Sequence, residues 1–457
     1  MFNPGLSPRH FIAMIGLPTA AFITTTRFES AMKKGKAHSL GVPGGGVFAS
    51  DEGTVPQKGS KANKIDKWLA RALLKTIGHP RIEIELWSGE IISTSRNPIA
   101  KVRLGNRGTL QQLLRRPSIT FGDAYSRGQI EVVGNLLEFL EEVYGGLIRA
   151  NAIRPKWLRP PTKTRRNTLG KARENIHHHY DLGNDFYRLW LDEHMVYTCA
   201  YYATEDMDLE QAQLAKMDHV GRKLRLQPGQ TVIEAGCGWG ALAMHLAEHF
   251  GVTVKAFNIS REQLSYGRQQ AAARGLQENV EFIEDDYRNI TGQCDAFVSV
   301  GMLEHVGIER FEELGTVIAG CLKPNGLGLI HSIGRASPAP NNRWIEKRIF
   351  PGSYPPSLAE ASRIFEPHNF SILDVENLRL HYRETCLAWW HRFEQVASEV
   401  EAMYDQKFVR AWRLYLAGSA AAFEVGTLQL FQIVFSPFGN NQVPWTRRHL
   451  YLKSDTK

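Results

Sequence analysis

The chain has 457 residues, enough for two or three domains, and its 43% apolar and 22% charged content is that of an ordinary globular protein with room for a substantial core. Its five cysteines, Cys199, Cys237, Cys294, Cys321 and Cys386, are odd in number and include no CxxC, which argues against a disulfide framework or a zinc knuckle and for a reducing cytoplasm. A net charge of +8 suits nucleic acid, anionic lipid or an acidic substrate equally.

Residues 1–62 are rich in Gly, Lys, Ser and Pro, including GVPGGG at 41–46, and read as a disordered arm. The apolar stretch from Phe11 to Ile23 is shorter than the ~20 residues of a spanning helix, is broken by Pro18 and precedes no small-residue cleavage site. Between Lys67 and Ile77, Trp68, Leu69, Leu73 and Ile77 recur at helical spacing. This predicts a packed amphipathic helix or one lying on a membrane surface. Alternation at Ile82–Leu86 and Val102–Leu104 predicts half-buried strands, with helices over 109–115 and 135–149. Residues 63–152 therefore read as a small α+β domain. Residues 153–173 carry Arg154, Lys156, Arg159, Lys163, Arg165, Arg166, Lys171 and Arg173 without an acid. They read as a solvated basic linker, suited to attract anionic lipid. No recognised nucleic-acid motif accompanies it, and no nucleic acid is expected as a partner.

The remainder, 174–457, reads as the catalytic domain. Strand candidates are 231–235, 252–258, 279–284, 296–300 and 327–333, and helices are expected over 240–250, 261–274 and 310–321. This α/β alternation predicts a mostly parallel sheet covered on both faces. In TVIEAGCGWG (231–240) a strand runs into a turn, where Gly236, Gly238 and Gly240 permit close approach of a ligand. The G-x-G-x-G spacing is neither the dinucleotide fingerprint nor the phosphate loop, and no Lys follows. The loop suits a nucleoside with a compact charged tail. Two further strand ends complete the pocket. Asn258 or Gln263 could bond a ribose or an adenine edge, Asp286 could accept from an amino group and Tyr287 could pack on a ring. Each could equally be an ordinary loop or cap residue.

VIEAGCGWG resembles the S-adenosylmethionine loop of class I methyltransferases, and its GCGWG form is similar to that of the cyclopropane fatty acid and mycolic acid synthases. HYDLGNDFY (179–187), YTCAYY (197–202), GMLEHVG (301–307), IHSIG (330–334), RIFPGSYPPSL (348–358), LHYRETC (380–386) and LQLFQIVFSPFG (428–439) resemble the same family, in its order. FGDAYSRGQIEVVGNL (121–136) is similar to its N-terminal domains. The resemblance implies a Rossmann-like class I methyltransferase domain with a small N-terminal α+β domain. It places S-adenosylmethionine against Tyr197, Thr198, Gly236, Cys237, Gly238, Trp239, Gly240, Asn258, Ile259, Gln263, Asp286 and Tyr287. Asn258 stands where methyltransferases generally carry an acid.

In this family a carbon–carbon double bond, a weak nucleophile, attacks the sulfonium methyl. A carbocation results, and a base must remove a proton from the new methyl group in a site that excludes water. The resemblance makes that base a bound bicarbonate, held by Cys199, Glu304, His331, Tyr382 and the backbone amide of Ile333. Tyr, His and amide donors suit an oxyanion. Glu304 would share a proton with bicarbonate or accept from its hydroxyl. Singly, each has a bland reading: Cys199 a small buried hydrophobe, His331 a core histidine, Tyr382 a packed aromatic, Glu304 a helix cap. Their joint occurrence in matching motifs favours the site. His177, His178, His179 and His305 lack metal-ligand spacing, and no metal is expected. Ser419 stands where some relatives have a cysteine, which argues against covalent catalysis here. Tyr180, Phe186, Tyr201, Tyr202, Trp389 and Trp390 are candidate walls of an acyl tunnel.

The expectation is methylene transfer from S-adenosylmethionine to the cis double bond of a phospholipid acyl chain, forming a cyclopropane. The alternatives are a branched or methylene-bearing product, N-methylation of a small amine, or a non-catalytic lipid-binding protein. The resemblance also implies a homodimer, associated from the cytoplasm with an anionic phospholipid surface.

Overall fold

The computed structural model describes residues 61–152 and 182–451. The basic linker, His177–His179, Tyr180 and all but the end of the expected arm lie outside the described residues.

Helix α1 (Lys64–Thr76) begins at a reciprocal cap: the Asn63 side chain accepts from the Asp66 amide, and the Asp66 carboxylate accepts from the Asn63 amide. Asp66 is buried, but Arg107 donates to both of its oxygens at 2.9 and 2.7 Å. The small sheet runs β2-β1-β3-β4, built from β1 (Ile82–Glu85), β2 (Ile91–Ser93), β3 (Ala100–Leu104) and β4 (Ile130–Val133). Along β1 and β3 every second side chain is buried, as the alternation predicts. Helices α2 (Arg107–Arg115), α3 (Pro117–Ser126) and α4 (Leu136–Ala152) complete this unit.

Helices α5 (Asn184–Arg188) and α6 (Leu209–Lys223) lead into a seven-stranded sheet. Its strands are β5 (Thr231–Ala235), β6 (Thr253–Asn258), β7 (Val280–Glu284), β8 (Cys294–Val300), β9 (Leu322–Gly334), β10 (Ser371–Asn377) and β11 (Gln429–Ser436), in the order β10-β11-β9-β8-β5-β6-β7. The run from β7 to β9 is parallel, and β11 is antiparallel to both β9 and β10. Helices α7 (Ala241–Phe250), α8 (Arg261–Ala273), α9 (Leu303–Val306) and α10 (Phe311–Cys321) connect the parallel strands. The chain moves outward from β5 to β7, then returns to place β8 on the other flank of β5. Such a switch leaves a crevice at the carboxyl ends of β5 and β8, where ligands of open α/β sheets bind.

Helices α11 (Arg379–Gln395), α12 (Ala397–Met403) and α13 (Gln406–Glu424) intervene between β10 and β11, and α13 packs against both α3 and α4. Specific contacts fix the small unit there. Arg348 pairs with Asp123 through two bonds of 3.0 and 2.9 Å, and Arg410 donates to the carbonyls of Tyr125 (2.6 Å) and Ile130 (2.9 Å). A Cβ on Gly122 would lie 2.5 Å from the Trp344 indole, so only glycine allows this approach.

Phe186 packs edge-on against Trp190, Tyr404, Phe408 and Trp412, with centroids 5.0–5.8 Å apart. Trp389 meets Trp190 edge-on at 6.0 Å, and Tyr201 stacks between His219 and His381. Phe186, Tyr201, Tyr202, Trp389 and Trp390 do not border the large cavity described below, which corrects their assignment as tunnel walls. Phe186 and Trp389 pack against other rings in the core, and the walls are formed by other residues, among them Phe139, Tyr197, Trp239 and Phe350 with Leu73, Val102 and Val143.

Candidate active site

The chain leaves β5 through Gly236, Gly238 and Gly240, all at positive φ (85°, 55° and 87°), where a side chain is strained. The amides of Gly236 and Cys237 both donate to the Phe257 carbonyl, at 2.9 and 3.0 Å, and tie the loop to the end of β6. Asn258 completes the tie. Its Nδ2 donates to the Gly238 carbonyl (3.1 Å) and to Gln263 Oε1 (2.8 Å), while its Oδ1 accepts from the amides of Ile259 (2.8 Å) and Ser260 (3.3 Å). A carboxylate could supply neither donation. That is the physical reason for Asn where an acid is usual: the residue buckles two loops together.

Asp286 and Tyr287 do not border the cavity, and neither do Gly240 and Ile259. Asp286, expected to accept from an amino group, already accepts from Arg288 at both of its oxygens, at 2.7 and 2.8 Å. The same guanidinium lies 5.3 Å from the Tyr287 ring centre.

Lys216, on α6, was not singled out by the sequence, yet it is fully buried beside the glycine loop. Its Nζ donates to Thr198 Oγ1 at 3.2 Å, and burial pulls its pKa down to about 8. Glu234, near the end of β5, is also buried; burial pushes its carboxyl up to about 7, and its Oε2 has no hydrogen-bond partner among the described residues. The Tyr197 and Tyr415 hydroxyls lie 2.8 Å apart at the same cavity wall, and Trp239 Nε1 donates to Asn184 Oδ1 at 2.8 Å.

The second cluster sits at the ends of β8 and β9. Glu304 is 5% exposed; its Oε1 accepts from the Ile333 amide at 2.5 Å, and its Oε2 is buried without a hydrogen-bond partner among the described residues. Burial pushes this carboxyl up to about 7. Tyr382 stacks on Phe423 at 4.5 Å, and burial keeps its phenol protonated well above the ordinary range. His331 is buried, with Nδ1 3.0 Å from Gln432 Nε2 and Nε2 unpartnered; burial holds it neutral. Glu304, Ile333 and Tyr382 line the cavity, whereas Cys199 and His331 are buried beside it and are not among its lining residues. Cys199 donates its thiol to the Ala200 carbonyl at 3.1 Å, and burial raises its pKa far above the usual thiol range. The Ile333 amide, expected to hold an anion directly, is already taken by Glu304. Ser419 borders the cavity and donates to the Tyr415 carbonyl at 2.8 Å.

One cavity of about 1540 Å³ joins these parts. Its lining includes Thr198, Lys216, Glu234 and Gly238 around the glycine loop, Glu304 and Tyr382 of the second cluster, and Leu73, Ile77, Val102, Phe139 and Val143 of the small unit. The small-unit part is mainly apolar, with Arg115 and Arg116 also bordering it.

Residues 167–433 match the family model of the mycolic acid cyclopropane synthetases. The chain belongs to this family. A second model, of a domain of unknown function, matches residues 69–146. The chain is 35% identical over 384 residues to a probable fatty acid methyltransferase of Pseudomonas putida, covering 82% of this chain and 97% of that protein. It is 36% identical over 360 residues to the cyclopropane-fatty-acyl-phospholipid synthase of Escherichia coli K12, covering 78% and 93%. Among solved structures, the mycolic acid cyclopropane synthase CmaA1 bound to S-adenosylhomocysteine and CTAB superposes with a TM-score of 0.55 at 29% identity, covering 57% of this chain and 97% of that one. The chain is thus an S-adenosylmethionine-dependent methyltransferase of the class I fold.

The cyclopropane synthetase loop fits that cofactor. A Cβ on Gly238 would meet nothing within 4 Å, whereas one on Gly240 would lie 2.4 Å from the Phe282 ring. The two glycines therefore have different tasks. Gly240→Ala is expected to cost about 2–4 kcal/mol of stability in denaturant unfolding, from strain and overpacking together. Gly238→Ala is expected to cost only about 1–2 kcal/mol and to weaken binding of S-adenosylhomocysteine, measured by calorimetry, because its Cβ stands in the cradle.

Proposed function

We propose that this enzyme transfers a methylene group from S-adenosylmethionine to the cis double bond of an unsaturated phospholipid acyl chain, closing a cyclopropane ring. One observation carries the reading: a single cavity is lined by the glycine loop, by Glu304 and Tyr382, and by apolar side chains of the small unit. A small amine would need no such extension. An acyl chain does.

Lys216 and Glu234 form a pair of opposite charges that complements the carboxylate and ammonium of the cofactor's amino-acid tail. The cofactor supplies the sulfonium methyl group. A bicarbonate ion fits the second cluster and would supply the base. Glu304 Oε2 and His331 Nε2 are buried polar atoms without hydrogen-bond partners among the described residues, each costing about 1–3 kcal/mol unless a guest satisfies it. In this reading Tyr382 and His331 donate to the anion. Glu304 accepts from its hydroxyl, and the Ile333 amide keeps the Glu304 carboxylate turned to that task. The aromatic and aliphatic walls keep water from the reacting carbons.

The lipid would enter from a membrane surface. Among the described residues no helix is long and apolar enough to cross a membrane. Ile65 and Trp68 on α1 are 65% and 47% exposed, while Leu73 and Ile77 at the far end of the same helix border the cavity. Arg115 and Arg116 border the cavity too, in reach of an anionic headgroup. The test is transfer of label from methyl-labelled S-adenosylmethionine to vesicles of unsaturated phosphatidylglycerol. Val143→Trp, which fills the small-unit end, is expected to lower this transfer about 10-fold or more with S-adenosylhomocysteine affinity unchanged. Undiminished transfer by that variant would place the acyl chain elsewhere.

A further inference from the structure

Behind His331 runs a chain of buried and half-buried polar groups that the reaction scheme does not use. His331 and Gln432 are register partners across β9 and β11, and Gln432 Nε2 lies 3.0 Å from His331 Nδ1. Gln432 is fully buried, and its Oε1 accepts from Lys223 Nζ at 2.6 Å. Lys223, on α6, also donates to Glu376 Oε2 at 2.6 Å, and the same oxygen lies 2.8 Å from His219 Nε2. Lys223 is buried and Glu376 partly exposed, and an ion pair that takes a lysine out of water adds little net stability against an apolar replacement, so its presence calls for another reason.

The polarity of the chain follows from its cation. An ammonium group only donates, so the oxygen of Gln432 must face Lys223 and the amide nitrogen must face His331. That nitrogen also only donates, so Nδ1 of the neutral imidazole must accept. The ring proton is left on Nε2, the atom that has no partner among the described residues. By the alternation of β9, His331 shares a strand face with Ile333, whose amide holds Glu304.

We propose that Lys223 and Gln432 are positioning residues that lock His331 in its Nε2–H tautomer, so that it meets the anionic base as a donor. Glu376 anchors the lysine. The role of the donor rests on the proposed bicarbonate site; the lock itself does not. With Gln432→Glu, an acceptor would face Nδ1 and draw a proton onto it, producing the Nδ1–H or imidazolium form.

The experiment is a long-range proton–nitrogen correlation spectrum of protein labelled with 15N-histidine, with His331 assigned by its loss in His331→Gln. The unmodified enzyme is expected to show the neutral Nε2–H pattern, and Gln432→Glu to lose it. Turnover of Gln432→Glu is expected to fall about 10²–10⁴-fold, the range seen when a wrong tautomer is imposed on a catalytic histidine or a general acid–base group is lost. Its S-adenosylhomocysteine affinity is expected to be unchanged. An Nδ1–H or imidazolium pattern in the unmodified enzyme overturns the lock without need of any variant, as does an unchanged pattern in a folded Gln432→Glu. A changed pattern with full turnover would leave the lock standing and refute His331 as the anion's donor.

Discussion

Glu304→Gln is expected to lower turnover about 10²–10⁴-fold while leaving S-adenosylhomocysteine affinity intact. The carboxyl is moved by burial from 4.5 to about 7, and its Oε1 is fixed by the Ile333 amide, so the variant keeps the size and that bond but loses the charge and turns the second oxygen from an acceptor into a donor. The proposed role needs the ionised form, so turnover of the unmodified enzyme should rise with pH through about 7, and the residual activity of the variant should lack that limb. Stability runs the other way. Below pH 4.5 the carboxyl is protonated in both the folded and unfolded states and has no effect. Between 4.5 and about 7 the unfolded chain ionises first, so the folded state holds the extra proton and loses stability as pH rises. Above about 7 the full cost of a buried charge is present. Glu304→Gln removes it, and the variant's stability relative to the unmodified enzyme should improve from pH 5 to pH 8, by up to about 3 kcal/mol. A flat difference between those pH values would mean that the carboxyl is not held in a dry site.

The second large effect concerns Lys216. Lys216→Met is expected to weaken S-adenosylhomocysteine binding about 10- to 150-fold, the equivalent of about 1.5–3 kcal/mol for a bond to a charged group. Methylthioadenosine, which lacks the amino-acid tail, should bind the variant and the unmodified enzyme alike. The comparison separates two explanations: a distorted pocket weakens both ligands, whereas a lost tail contact weakens one. Equal affinity of both proteins for S-adenosylhomocysteine would remove Lys216 from the cofactor site.

Much of this architecture is legible in the sequence because its signals are local. Val232, Ile233 and Ala235 form an apolar run ending in three glycines, and the strand ends where that run ends. The alternation at Ile82–Glu85 likewise reports one buried face. Strands β10 and β11 escape such reading for opposite reasons. β10 is an edge strand without strict alternation, its exposed Ile372 and Val375 mixed with acids. β11 is buried along almost its whole length, and LFQIVFS carries no period that separates strand from buried helix.

The site divides in the same way. Glycines that turn the chain announce themselves, and Glu304, His331 and Tyr382 stand in motifs that resemble a known family. Lys216 and Lys223 do not announce themselves. In LEQAQLAKMDHVGRK both read as the solvated side of an amphipathic helix, and only the packing of α6 against the sheet shows that they are buried. Gln432 is equally silent, because its meaning depends on register across β9 and β11. Phe186 and Trp389 mislead in the other direction. Large aromatics suggest a tunnel, yet rings that can pack on one another form a core, and the open space runs between Leu73, Val102 and Val143.

The most direct measurement is mass analysis of lipid after the purified enzyme is incubated with S-adenosylmethionine and vesicles of unsaturated anionic phospholipid. The expected result is a gain of one CH2 in the acyl chain with loss of its double bond, abolished in Glu304→Gln. The same gain with the double bond retained would contradict ring closure, and no gain from an enzyme that still binds S-adenosylhomocysteine would contradict the phospholipid acyl chain as substrate.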